Sequence, residues 1–379
     1  MKFPNTLEIN EKLSKRVFNA KYNNQEVILK LFTPNDLDSY AAQIKHVFKE
    51  YEGTDCDYLE TSLDDRVSYC VKIHYLIQRR LGISMTSEYY CKEKQGWVFE
   101  TIIEDKKDCP DSSQSIESTS ETFDDVENSF VQLIHVFGVK FDKKSQVFIS
   151  QDQFIGLIFP KLGQPLMNFT QNHGWVPNPI YLSSVFNGEL FIAHIFKVVV
   201  NSALFLLKEL NIVHKDIKIE NICTKLDYSK PNKIHPILID FGESQILSEN
   251  KKLRDAYGTH TMLPPEAFLC SLSSHNNEKY TGYSAEKREV WSLGCLLHTL
   301  VFGYPPYFEI FSKKSPIEFQ LNLCDKNKTI NIPSYSTVLN ADISCELRDL
   351  LSIILVKVPT NRPSLEDILV HPWLQTKSS

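Results

Sequence analysis

The apolar positions near the start of the chain fall in short runs. Leu7–Leu13, Arg16–Tyr22 and Glu26–Phe32 read as three short strands, and Asn23-Asn24-Gln25 supplies a turn between the last two. The spacing then changes. After Pro34-Asn35-Asp36, a helix start, Leu37, Tyr40, Ile44, Val47 and Phe48 follow helical spacing over 37–51, with Gly53 as its stop. Residues 62–82 predict a second helix, and 88–103 a hairpin around Gly96. From Glu104 to Asn128 the pattern disappears: nine acidic side chains and many serines, with almost no large apolar residues, predict a mobile loop. Order is expected again at 130–138 and in a strand over 154–159. A long helix over 189–210 follows, and beyond Glu266 the pattern is mainly helical up to Leu374. There is no internal repeat.

Composition narrows the class. With 379 residues, 42% apolar and 23% charged, the chain is expected to be globular and soluble. A net charge of −6 and a pI near 6.0 argue against nucleic acid as a partner. Nine cysteines, scattered and without a C-x-x-C pair, suit reduced thiols in the cytoplasm or nucleus rather than a disulfide framework or a zinc site. The first residues lack the apolar run of a signal peptide. The stretch 190–207 is apolar enough to raise the question of a membrane. It carries His194, Lys197, Asn201 and Ser202, which favour a buried helix and no membrane.

The chemistry concentrates in His214-Lys215-Asp216-Ile217-Lys218-Ile219-Glu220-Asn221, followed nineteen residues after Asn221 by Asp240-Phe241-Gly242. The two segments supply a carboxylate base, an ammonium clamp, and an amide and a second carboxylate suited to magnesium, as phosphoryl transfer from a metal nucleotide requires. In this order and in a strand-rich context, the combination resembles the eukaryotic protein kinase family, serine/threonine branch. The resemblance is strong over 130–374, moderate over 7–52 and absent from about 53 to 129, which reads as an insertion. It implies an α+β, bilobal fold: a small antiparallel-sheet lobe (about 1–161) and a larger, mainly helical lobe (about 162–374), with ATP and Mg2+ in the cleft between them and a polar tail at 375–379.

The resemblance also implies roles. Asp216 would orient the acceptor hydroxyl and accept its proton, and Lys218 would neutralise the transferred phosphoryl group. Asn221 and Asp240 would hold magnesium. Lys30, in Val27-Ile28-Leu29-Lys30, would hold the α and β phosphates, with Glu50 as a candidate helix partner and Glu52 or Glu117 as alternatives. Phe159 would back the adenine pocket, the Pro160 carbonyl and the Leu162 N–H serving as its hinge contacts. Gly258 to Glu266 resembles the end of the activation segment. There Thr259 would contact Asp216 and Lys218, and Glu266 would pair with Arg362.

Three departures stand out. The family's glycine-rich lid is missing: Asn10, Lys12 and Lys15 occupy its glycine positions. Lys215 replaces a frequent arginine. Glu289 replaces an aspartate that braces the catalytic loop, which leaves that bracing in question. The leading expectation is a protein serine/threonine kinase acting on a protein substrate, with the insertion as a place for a regulatory partner. The alternative is a pseudokinase acting as a nucleotide-binding or scaffold module, and a small-molecule kinase is a more distant third.

Overall fold

A computed structural model describes residues 7–14, 16–32, 63–91, 96–103, 126, 128–142, 147–150, 155–163, 165–166, 170–171, 176–177, 188–226, 234–275, 282–308, 315–325 and 328–375. The expected helix over 37–51, with Glu50, Glu52 and Gly53, lies outside them, as do Lys15, Glu117 and nearly all of the acidic stretch. The chain divides into two compact units, residues 1–118 with 131–161, and residues 119–130 with 162–379.

The first unit is built on a seven-stranded sheet in the order β1-β2-β3-β9-β6-β4-β5. The strands β1 (Leu7–Lys12), β2 (Val17–Tyr22) and β3 (Gln25–Phe32) form an antiparallel meander, turning at Asn23 and Asn24, both with positive φ. Along β3 the side chains alternate: Val27, Leu29 and Leu31 are buried against Ala20, Tyr22, Phe137 and Ile158. The opposite face of the sheet packs on α1 (Leu63–Leu81), where Val71 and Tyr75 join Leu133, Val136, Ile155 and Leu157.

The segment that reads as an insertion is thus partly structural. Its helix α1 covers the sheet, and its hairpin, β4 (Met85–Cys91) with β5 (Gly96–Ile103), extends it. The sheet is antiparallel, as expected, except for one pair. β4 runs parallel to β6 (His135–Phe137), because the chain leaves β5 and returns through a long connection that lands β6 on the far side of β4. β6 then pairs antiparallel with β9 (Ile155–Pro160), which pairs with β3. A separate ribbon joins β7 (Val139–Asp142) to β8 (Val147–Ser150).

The second unit is mainly helical. The apolar α2 (Gly188–Glu209) is long enough to cross a membrane by length and composition alone, but two-thirds of its most apolar window is buried within the protein. Glu189 at its start accepts from the Ser344 N–H and Oγ and from Trp373 Nε1, tying it to the C-terminal helices. A ribbon of β10 (Ile222–Leu226) and β11 (Ile234–Leu238) follows. Then come α3 (Pro265–His275), the central α4 (Ala285–Phe302), α5 (Pro316–Cys324), α6 (Cys345–Ile354) and α7 (Leu365–Leu369). α4 is buried on nearly every side. Gly294 lets it approach α6, where an added Cβ would meet Ile354 Cγ2 at 2.4 Å.

The small lobe is also not one continuous stretch of chain. Residues 126–130 belong with the second unit because the Leu238 N–H donates to Ser129 O at 2.7 Å and Phe130 packs on Phe205 and Phe241.

Candidate active site

The octet lies on the loop between the two-residue strand Ile212–Val213 and β10. A short 3-10 turn over Ile219–Asn221 seats its end. Its backbone is constrained: Lys215 sits at φ +69°, a left-handed conformation unusual for lysine. The site needs that bend. The Lys215 N–H donates to Glu289 Oε1 at 2.9 Å, and the Lys215 carbonyl accepts from Arg288 Nη2 at 2.7 Å. Glu289 therefore still braces the loop despite its extra methylene. Burial pushes its carboxyl up to about 7, against Arg288 and the loop N–H groups, which favour the anion.

Asp216 is buried with both oxygens occupied. Oδ1 accepts from the Thr259 N–H at 3.1 Å and Thr259 Oγ1 at 2.7 Å. Oδ2 accepts from Asn221 Nδ2 at 2.9 Å and faces Lys218 Nζ at 2.7 Å, and Lys218 also donates to Thr259 Oγ1 at 2.7 Å. Burial alone would raise the Asp216 pKa. The hydrogen bonds from Lys218 and Thr259 outweigh burial and hold it below the usual aspartate value, so Asp216 is anionic at neutral pH. Four of the expected residues thus meet around one carboxylate.

Both Asn221 amide protons point at Asp216, to its main-chain oxygen and to Oδ2, each at 2.9 Å. That leaves the amide oxygen as the group able to meet a cation. The Ile239 N–H donates to Asn221 O at 2.9 Å, so the residue before Asp240 is hydrogen-bonded to Asn221. Asp240 follows in a left-handed conformation (φ +60°, ψ +79°), exposed, with Oδ1 accepting from the Gly242 N–H at 3.3 Å. One carboxylate and one amide oxygen suit magnesium, which fills the rest of its shell with water and phosphate. Behind them His214 Nε2 meets Ile239 O at 3.2 Å, and the His214 ring lies 5.0 Å from the Phe241 ring. Burial lowers the His214 pKa and keeps the imidazole neutral.

In the first unit, Lys30 pairs in register with Leu157 and shares the face of β3 that carries Phe32, the face covered by α1. Its Nζ lies 5.9 Å from the Phe32 ring centre. The helix on that face contains no glutamate. Phe159 lies on the same side, its ring 5.3 Å from that of the buried His74 of α1. Pro160 ends β9 opposite Val27, and Lys161 bridges to Glu26 at 2.9 Å on the surface. Leu162 opens the second unit. The next residue, Gly163, lies so close to β10 that a Cβ would meet Thr224 O at 2.4 Å. The strand expected to carry the lid is irregular in place of glycine-rich: the β1–β2 register shifts between Ile9 and Glu11, leaving Asn10 as the extra residue of a bulge. Lys12 reaches to 6.0 Å from the Phe18 ring centre.

Glu266 and Arg362 form a buried bidentate pair at 2.6 and 2.9 Å. The guanidinium also lies 4.7 Å from the Trp291 ring centre. Three neighbours of the site escaped the sequence reading: Asp255, Tyr283 and Arg288. Lys215 Nζ lies 2.9 Å from Asp255 and 3.2 Å from Gln245 Oε1. Arg288 Nη1 donates to Tyr283 Oη at 2.9 Å, and Tyr283 Oη donates to Asp255 O at 2.5 Å. The one available signal was an arginine next to Glu289, where a charged first turn gives way to a mainly apolar helix.

One loop thus gathers a carboxylate, an ammonium and an amide oxygen, and a second carboxylate, Asp240, follows on the next segment. The protein kinase domain family matches residues 177–374, just over half of the chain, and the chain belongs to that family. Protein kinases of this family use ATP and magnesium. Among its relatives is a probable cell cycle serine/threonine-protein kinase, a CDC5 homolog of Encephalitozoon cuniculi, 32% identical over 50% of this chain and 36% of its own. Another is myosin light chain kinase A of Dictyostelium discoideum, 29% identical over 54% of this chain and 66% of its own. The meiosis-specific serine/threonine-protein kinase mek1 of Schizosaccharomyces pombe is 26% identical over 88% of this chain and 65% of its own. The chain thus spans about a third to two-thirds of the length of these relatives.

Proposed function

We propose that this chain is a protein serine/threonine kinase that transfers the γ-phosphate of ATP to a hydroxyl of a protein substrate, with residues 1–374 as its kinase domain. The observation that carries this reading is the Asp216 carboxylate, anionic and shared by Lys218, Asn221 and Thr259. Asp216 orients the acceptor hydroxyl and takes its proton, while Lys218 lies beside it to meet the negative charge of the transferred group. Asn221 and Asp240 would hold magnesium, which when bound offsets charge on the phosphates. Lys30, with Glu50 as its candidate partner, and the Phe159, Pro160 and Leu162 segment serve the nucleotide. Serine or threonine as acceptor is supported by the names of the relatives. Free thiols at Cys70, Cys223, Cys270, Cys295, Cys324 and Cys345 suit the cytoplasm or nucleus.

The test pairs two measurements. In a γ-phosphate-labelled ATP assay with a degenerate Ser/Thr peptide library, wild type should label peptide, and Asp216→Asn should fall by about a thousandfold. ATP with magnesium should raise the Tm of both proteins. Equal labelling by wild type and variant would overturn the assignment of Asp216, and absence of any nucleotide shift would overturn the kinase reading.

A further inference from the structure

Arg288 is the least expected group in the second unit. It is 1% exposed, on the central helix α4, directly before the bracing Glu289. A buried guanidinium is costly unless its donors and its charge are both met. Nη2 donates to two main-chain carbonyls, that of Lys215 at 2.7 Å and that of Tyr257, while Nη1 donates to Tyr283 Oη. Tyr283 Oη and the Asp255 carboxylate lie near enough to favour its charge.

The positions of the two carbonyls matter more than their number. Lys215 directly precedes Asp216, and Tyr257 lies two residues before Thr259. Asp216 and Thr259 are the two residues whose contact closes the site, at 2.7 Å. One planar group therefore grips both strands of chain just upstream of the points where they touch. Between them lies Gly258 at φ +116°, where a Cβ would meet Lys215 O at 2.7 Å and Arg288 Nη2 at 2.8 Å. The glycine makes room for the guanidinium. Asp255 completes the assembly, holding Lys215 Nζ while its carbonyl accepts from Tyr283.

We infer that Arg288 is a positioning residue: it sets the register between the catalytic loop and the activation segment, and so the contact of Thr259 with Asp216. Only the kinetic consequence rests on the kinase reading. Nη2 meets both carbonyls while Nη1 holds Tyr283, and a single ammonium nitrogen can keep part of the first set but not both at once. Loss of the grip lets Thr259 drift from Asp216 and misaligns the acceptor without touching the nucleotide residues.

The experiment uses the full chain with Arg288→Met, Arg288→Lys and Tyr283→Phe, the last a near-isosteric change that removes the Nη1 acceptor together with the hydrogen bond to Asp255 O. Two quantities are read: kcat and KM with labelled ATP and the peptide library, and hydrogen exchange of the Thr259 amide, which donates to Asp216. Arg288→Met is expected to lower kcat about a hundredfold while changing the KM for ATP by less than about threefold. Arg288→Lys should recover part of that loss, and Tyr283→Phe should cost about fivefold. Thr259 exchange should quicken in the same order. Unchanged Thr259 exchange in folded Tyr283→Phe and Arg288→Lys overturns the inference, as does a kcat within about twofold of wild type in both. If wild type labels no peptide, the kinase reading fails, and the exchange measurement still decides the role of Arg288.

Discussion

The loop from His214 to Asn221 and the strand β1 are the two segments that the sequence resemblance assigns to phosphate, yet they are constructed on opposite terms. In the loop, His214, Lys215, Asp216 and Asn221 are all buried polar residues; the first three have partners from distant parts of the chain, and Asn221 holds Asp216 within the loop. In β1, only Leu7 is buried and the other five side chains are exposed. The first region works through side chains whose charge and length are fixed by partners, so each residue identity is constrained. The second leaves its side chains free of such constraint, and a bulge at Asn10 bends the strand without glycine. The loss of glycine is therefore a weaker argument against activity than the loss of Asp216 or Lys218 would have been.

That contrast can be broken by substitution. The largest effect should come from Asp216→Asn, with the loss of labelling given above. Next is Arg362→Met, which leaves Glu266 buried without its partner; it should destabilise the fold by about 3–5 kcal/mol, read by chemical denaturation. Glu289→Gln sharpens the comparison through pH. Its folded-state value of about 7 lies above the ordinary carboxylate value, so the wild-type protein gains stability by holding a proton below about pH 4.5 and loses that gain as pH rises to 7. The glutamine variant lacks this slope, so its stability relative to wild type should rise by about 1 kcal/mol or more between pH 5 and 7.5. A falling or flat difference would refute the buried, raised carboxyl. Phosphatase treatment should leave activity within about twofold, because Asp255 already supplies Lys215 with an anion. The smallest effect belongs to β1: Lys12→Ala should change the KM for ATP by about twofold or less, and a tenfold rise would restore the importance of that strand.

Much of this was legible in the sequence because it is local. The strands over 7–32, the helix at 63–81 and the helix at 188–209 fall within a residue or two of their expected bounds, since each carries its own period and punctuation. The meeting of Asp216, Lys218 and Asn221 was legible for the same reason: they lie within six residues of one another. The parallel docking of β4 on β6 was not, because strand pairing across some fifty residues leaves no local mark. Nor was the grip of Arg288 on Lys215 O, 73 residues away in sequence. A buried charge is visible only once its partners are.

The hairpin of β4 and β5 carries one more consequence. Without it, the three-residue strand β6 would be the outer rail of the sheet, offering its free N–H and C=O groups to any passing chain. The hairpin takes up that rail, so that among the described residues the sheet ends at β5, a strand of eight residues with a largely exposed Phe99. Deleting residues 85–103 would therefore do more than shorten the protein: it would uncover a sticky margin, and the expected symptom is self-association during refolding, before any loss of catalysis can be measured.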